Sequence, residues 1–149
     1  MASRRVETHS PEETIERGRE IGAGLKPPVL ILLSGELGAG KTTLTKGIAS
    51  GLGAAEENEV TSPTFTLVHQ YGREPRVYHV DLYRVRDFED LETLGLEDLF
   101  SSPAAVIVEW AEKFSLRTGW PTVRIHLEHI SEAARRISVS DLDEAGEGG

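Results

Sequence analysis

The chain has 149 residues, a formal net charge of −9 and a sequence pI near 5.0. Its apolar and charged content, 38% and 28%, fits one globular domain with a real core. With no cysteine, disulfides, thiolate metal sites and cysteine nucleophiles are excluded.

In chain order, residues 1–9 (Met1-Ala2-Ser3-Arg4-Arg5 at their start) read as a flexible basic tail. Ser10-Pro11-Glu12-Glu13 is a helix start: serine caps, proline takes the first helical position, and Glu13 completes a capping box. This helix is expected to run to Gly22 or Gly24. Val29 to Leu33 is an unbroken apolar run and predicts a buried strand. Lys41 to Leu52, with Leu44, Ile48 and Leu52 at four-residue spacing, predicts a helix.

Thr64 to Tyr71 and Arg76 to Tyr83 read as two strands of an antiparallel hairpin, turning at Gly72-Arg73-Glu74-Pro75. Val77, His79, Asp81 and Tyr83 should share one face of the second strand. Asp87 caps the next helix, whose buried side includes Leu91, Leu94 and Leu99, with Gly95 placed to break it. Ala104 to Val108 is a buried strand ending in Glu109-Trp110, with a short helical piece after it. Segments around residues 123–127 and 136–140 read as a second hairpin. Residues 143–149 carry only glycine, alanine and acids and read as a disordered tail. This order predicts a single α/β domain over residues 10–142, with a mixed, partly parallel central sheet flanked by helices. The strands preceding Gly35 and ending at Glu109 should belong to its parallel core.

The chemistry gathers between the first predicted strand and the second predicted helix. Gly35-Glu36-Leu37-Gly38-Ala39-Gly40-Lys41-Thr42 fits the phosphate-loop pattern G-x-x-x-x-G-K-[ST], in the strand-to-helix context that the pattern requires. In such a turn, backbone N–H groups from Glu36 to Thr43 curl around phosphate, and the helix N-terminus adds partial positive charge. Lys41 then reaches the outer phosphates and the Thr42 hydroxyl ligates Mg²⁺. Glu109, at the ligand end of a buried strand, is the candidate metal or water-positioning acid.

Asp81 is either a group that supports Mg²⁺ through its outer shell or orients the attacking water, or else the partner of Arg84 or Arg76 on a hairpin face. His79 lies on the same strand, and a lone histidine is more often structural than catalytic. Thr61-Ser62-Pro63-Thr64-Phe65 lies where many such proteins sense the γ phosphate. Trp110 either stacks at the site or packs under the sheet. The only asparagine is Asn58, followed by Glu59, so the guanine-reading Asn-Lys-x-Asp element is absent and ATP is the expected nucleotide.

These blocks resemble a known family, the bacterial P-loop ATPases of tRNA threonylcarbamoyladenosine biosynthesis (the TsaE, formerly YjeE, family). The resemblance rests on Gly35 to Thr43, Ser62-Pro63-Thr64-Phe65, His79-Val80-Asp81-Leu82-Tyr83-Arg84 and Val108-Glu109-Trp110, and it spans residues 10–140. It implies a weak ATPase that acts with a two-subunit protein complex placing threonylcarbamoyl on adenosine 37 of tRNA. Lys41 and Thr42 would bind phosphate and Mg²⁺, Glu109 would be the strand-end acid, and Asp81 would serve hydrolysis.

Dispersed arginines in an acidic chain make contact with tRNA indirect. No membrane-length apolar run and no signal-peptide core point to the cytoplasm. Two other readings fit the motif: a small-molecule kinase, and a nucleotide-gated binding module without useful hydrolysis. No residue is an obvious arginine finger, with Arg84 the weak candidate.

Overall fold

The computed structural model describes residues 3–36, 39–62, 67–73, 76–114, 116 and 119–142. Its centre is a seven-stranded sheet in the order β1-β7-β6-β2-β5-β4-β3. The strands are β1 (Ser3–Thr8), β2 (Val29–Gly35), β3 (Val68–Tyr71), β4 (Val77–Asp81), β5 (Ala105–Glu109), β6 (Thr122–His129) and β7 (Arg135–Leu142). Four strands, β6, β2, β5 and β4, run parallel. The edges are antiparallel: β3 pairs with β4, β7 with β6, and β1 with β7.

The unbroken apolar run of β2 has a simple cause: the strand is covered on both faces. Ile31 and Leu33 join Leu44, Ile48, Ile107, Ile125 and Ile137 under the helices α1 (Pro11–Ala23) and α2 (Lys41–Gly51). Leu30 and Leu32 join Val80, Leu82, Val106 and Val108 on the opposite face. That second layer is roofed by α3 (Phe88–Thr93) and α4 (Leu96–Leu99), through Leu91, Leu94 and Leu99. Gly95 separates α3 from α4 in the left-handed region, at φ 66°, which is the break expected from sequence.

Helices α1 and α2 touch backbone to backbone. A Cβ on Gly47 would lie 2.0 Å from the Ile15 carbonyl oxygen, and one on Gly22 would lie 2.3 Å from that of Ile48. Glycines at four-residue spacing on both helices (Gly18 and Gly22, Gly47 and Gly51) make this approach possible. The contact carries the N-terminus of α1 to the N-terminus of α2. Ser10 caps α1 as expected, accepting a hydrogen bond from the Glu13 amide at 3.1 Å. Glu13 returns the favour by accepting from the His9 amide at 2.8 Å.

One expectation is overturned. Residues 1–9 are not wholly a free tail, because Ser3–Thr8 form an edge strand paired residue by residue with β7. Val6 packs against the α1-side core, and the buried Thr8 hydroxyl lies 2.7 Å from that of Thr14 on α1. The first strand of the predicted β3–β4 hairpin is described only from Leu67, so residues 64–66 lie outside the described residues. So does the tail, 143–149.

Candidate functional site

The parallel strands set the site. Their register places Leu33 beside Glu109 and Glu109 beside Asp81, so β2, β5 and β4 end together at one edge of the sheet. Beyond β2 the chain turns through Glu36, Ala39 and Gly40 into α2; Leu37 and Gly38, the middle of the predicted phosphate loop, lie outside the described residues. Gly40 is the N-cap of α2 at φ 100°, a conformation that favours glycine, and it offers no side chain to the first-turn amides. Among the described residues no side chain caps the start of α2, which presents its first-turn N–H groups and the positive end of its dipole.

A cavity of about 410 Å³ opens on this edge. Gly40, Lys41, Thr42 and Thr43 line its floor, and Ser62, Asp81, Tyr83, Glu109 and Trp110 line one side. Thus Lys41, Thr42, Thr43, Asp81 and Glu109, singled out from sequence, are brought together. Ala39 is fully buried beneath the turn, and Glu36 contributes through its carbonyl oxygen. Arg84 is not among the lining residues; it borders a separate surface groove with Val85, Thr93 and Leu94.

Lys41 is nearly buried, at 5% exposure. Its Nζ donates to the carbonyls of Gly35 at 2.7 Å and Glu36 at 3.0 Å. It also lies 3.9 Å from the centroid of the Trp110 ring. Burial pushes its ammonium below the usual lysine range, opposed by the negative charges of Glu109, Glu112 and Asp81. Trp110 sits at φ 62° and its ring tilts against Tyr83, 5.0 Å between centroids. The two placements the sequence allowed for this tryptophan are both realised: it lines the cavity and also packs against the core layer of Leu30, Leu32, Val106 and Val108.

Thr42 donates its hydroxyl proton to Glu109 Oε2 at 2.9 Å. That orientation leaves the lone pairs of Thr42 Oγ1 for a hard cation, an oxygen donor set suited to Mg²⁺. Glu109 Oε2 also lies 2.5 Å from His79 Nε2. Asp81 is 1% exposed. Its Oδ1 accepts from the Tyr83 amide at 2.8 Å, and Ser62 Oγ stands 3.4 Å from its Oδ2. Pro63, Thr64 and Phe65 lie outside the described residues.

The opposite wall escaped sequence reasoning. It consists of Ser10, Pro11 and Thr14 from α1, with Glu132, Ala133 and Arg135 from the β6–β7 turn. Arg135 Nη1 donates to the carbonyls of Ser131 and Ala134, at 2.8 and 3.0 Å, which braces that turn. No local pattern marks these residues, because about 120 positions of sequence separate α1 from the turn; the capping box of α1 was the one visible signal.

A parallel sheet whose first core strand leads through a glycine turn into a helix, with a carboxylate ending the adjacent strand, defines the P-loop NTPase-like class. The chain belongs to the TsaE family: the model of that family, described as threonylcarbamoyl adenosine biosynthesis protein TsaE, matches residues 8–137. It is 35% identical over 136 residues to the tRNA threonylcarbamoyladenosine biosynthesis protein TsaE of Treponema pallidum, covering 91% of this chain and 99% of that one. It is 38% identical over 133 residues to the Bacillus subtilis protein of the same name, covering 88% and 81%. The crystal structure of Bacillus subtilis YdiB superimposes with a TM-score of 0.74 at 30% identity, covering 95% of this chain and 87% of that one. Among the described residues no helix is long and apolar enough to cross a membrane.

Proposed function

We propose that the protein binds ATP with Mg²⁺ in the cavity at the start of α2, hydrolyses it, and thereby serves the protein complex that makes N6-threonylcarbamoyladenosine in tRNA. Family membership supports the pathway, since the relatives are named for tRNA threonylcarbamoyladenosine biosynthesis. The observation that carries the nucleotide reading is the hydrogen bond from Thr42 to Glu109 beside the buried Lys41 ammonium. It prepares an oxygen donor for a cation next to a cation for phosphate.

Each residue then has a task. The first-turn amides of α2, with Glu36, Leu37, Gly38, Ala39 and Gly40 in the turn before it, hold the phosphates. Lys41 exchanges its carbonyl contacts for phosphate oxygens and stabilises the charge that builds up on them. Thr42 and Glu109 hold Mg²⁺, which when bound neutralises phosphate charge and polarises the terminal phosphoryl group. Asp81, fixed by the Tyr83 amide, orients water. The nucleoside lies toward Ser10 and Thr14 on the α1 side of the cavity, while Arg135, whose Nε stands close to Gly40, borders the phosphate turn. Basal turnover is slow and rises with the partners bound, as the family resemblance implies.

The partners are the two-subunit threonylcarbamoyl-transfer proteins, and tRNA is reached only through them, in the cytoplasm. Two measurements test this. Calorimetry with ATP and Mg²⁺ should show binding that Lys41→Ala weakens. With partner proteins and tRNA present, the chain should be required for repeated rounds of modification. Binding without Mg²⁺ dependence, or modification that cycles equally well without the chain, would overturn the reading.

A further inference from the structure

We propose that His79 is a positioning residue that locks the Glu109 carboxylate in place for cation binding at Thr42. The role rests on the nucleotide reading above but is carried by a contact of its own. His79 is fully buried and Glu109 is 3% exposed. They lie on neighbouring parallel strands, where His79 stands beside Ile107 and Glu109 beside Asp81. His79 therefore meets the carboxylate from the core side, while Thr42 meets it from α2.

The contact fixes the tautomer. A carboxylate accepts hydrogen bonds and donates none, and a neutral imidazole carries a single N–H. His79 Nε2 lies 2.5 Å from Glu109 Oε2. A bare Nε2 at that distance would set lone pair against lone pair. The other ring nitrogen, Nδ1, is buried with no hydrogen-bond partner among the described residues. A proton on Nδ1 would be a buried donor with nothing to donate to, at the full desolvation cost. Both facts put the proton on Nε2, donating to Glu109.

Glu109 Oε2 thus accepts from two directions, His79 and Thr42. Two donors on one oxygen hold the carboxylate's orientation, and Oε1, which carries no hydrogen bond among the described residues, would be available to a cation. An apolar residue would fill the same core position without an unpartnered nitrogen. What the histidine adds is a directed N–H, the part that partners behind metal-binding groups generally play.

The test has two arms. In the nucleotide-free protein, long-range ¹H–¹⁵N NMR should show His79 with its proton on Nε2, in a slowly exchanging downfield signal that Glu109→Gln displaces. An Nδ1-protonated ring would overturn the proposal. In the second arm, ATP affinity is measured by calorimetry with Mg²⁺ and with EDTA. His79→Leu should lose about 10-fold or more of the gain that Mg²⁺ confers, with its affinity in EDTA unchanged. His79→Gln, which keeps an N–H near the Nε2 position, should recover most of it. Equal losses with and without Mg²⁺, or a Gln variant no better than Leu, would reduce His79 to a packing residue and overturn the proposal. A full Mg²⁺ gain in the Leu variant would do the same. If the wild-type protein itself shows no Mg²⁺ gain, the proposed function fails with it, a result separable from failure of the Leu variant alone.

Discussion

Asp81 and Glu109 stand beside each other at the ends of parallel strands, yet their carboxylates are held by different partners. Glu109 is tied to α2 and to the core, through Thr42 and His79. Asp81 is tied to the turn that follows it, through the Tyr83 amide. The two acids should therefore fail differently. Glu109→Gln should lower Mg²⁺-dependent ATP affinity, whereas Asp81→Asn should leave affinity near wild type and slow phosphate release by about 100-fold. Calorimetry and a phosphate-release assay on both variants check this. Indistinguishable profiles would mean that the acids act as one unit.

Lys41 gives a pH dependence with a definite sign. Its ammonium is disfavoured in the fold by burial, so its folded pKa lies below the unfolded value of 10.5. Between those values the unfolded chain binds the extra proton, and stability rises with pH. Denaturation of wild type and Lys41→Met across the alkaline range should show the wild type gaining on the variant as pH rises. Phosphate favours the charged lysine, so ATP affinity should fall over the same range, accompanied by proton uptake on binding.

The α1–α2 crossing allows no methyl group. Gly47→Ala would place its Cβ 2.0 Å from the Ile15 carbonyl oxygen, a backbone atom that cannot step aside. Overpacking of this kind should cost about 3 kcal/mol. In a chain of this size the loss corresponds to roughly 6–12 °C in thermal midpoint. Gly53→Ala, with open space around the added carbon, provides the comparison; there the penalty comes from the left-handed backbone alone, at φ 80°. A smaller loss at Gly47 than at Gly53 would contradict the packing seen between the helices.

Deleting residues 1–8 should also destabilise the protein. It removes Val6 from the α1-side core and the Thr8 partner of Thr14, which together are worth about 2–4 kcal/mol. Because Thr14 lines the cavity, ATP affinity should fall as well. An unchanged denaturation midpoint would restore the view of this segment as a tail.

What the sequence made legible was local or periodic. The glycine turn, the capped start of α1, the apolar strands β2 and β5 and the break at Gly95 each announce themselves within a dozen residues. The strand β1 does not. Ser-Arg-Arg-Val-Glu-Thr has a single large apolar side chain, and it becomes a strand because β7 offers an edge more than a hundred positions later. His79 looked structural for the same reason. Its partner is 30 residues away, and only the parallel register of β4 and β5 brings them together. The wall of Ser10, Thr14 and Arg135 likewise exists only after closure of the sheet.

The backbone contact between α1 and α2 has a mechanical consequence. Where glycines bring the two backbones together there is no soft layer along which to slide, so the floor and the α1 part of the far wall move as one body. Exchange of a bound molecule would then fall to the opposite side, which Ser62, Tyr83 and Trp110 line. A partner that gripped this side would control residence time without touching the floor.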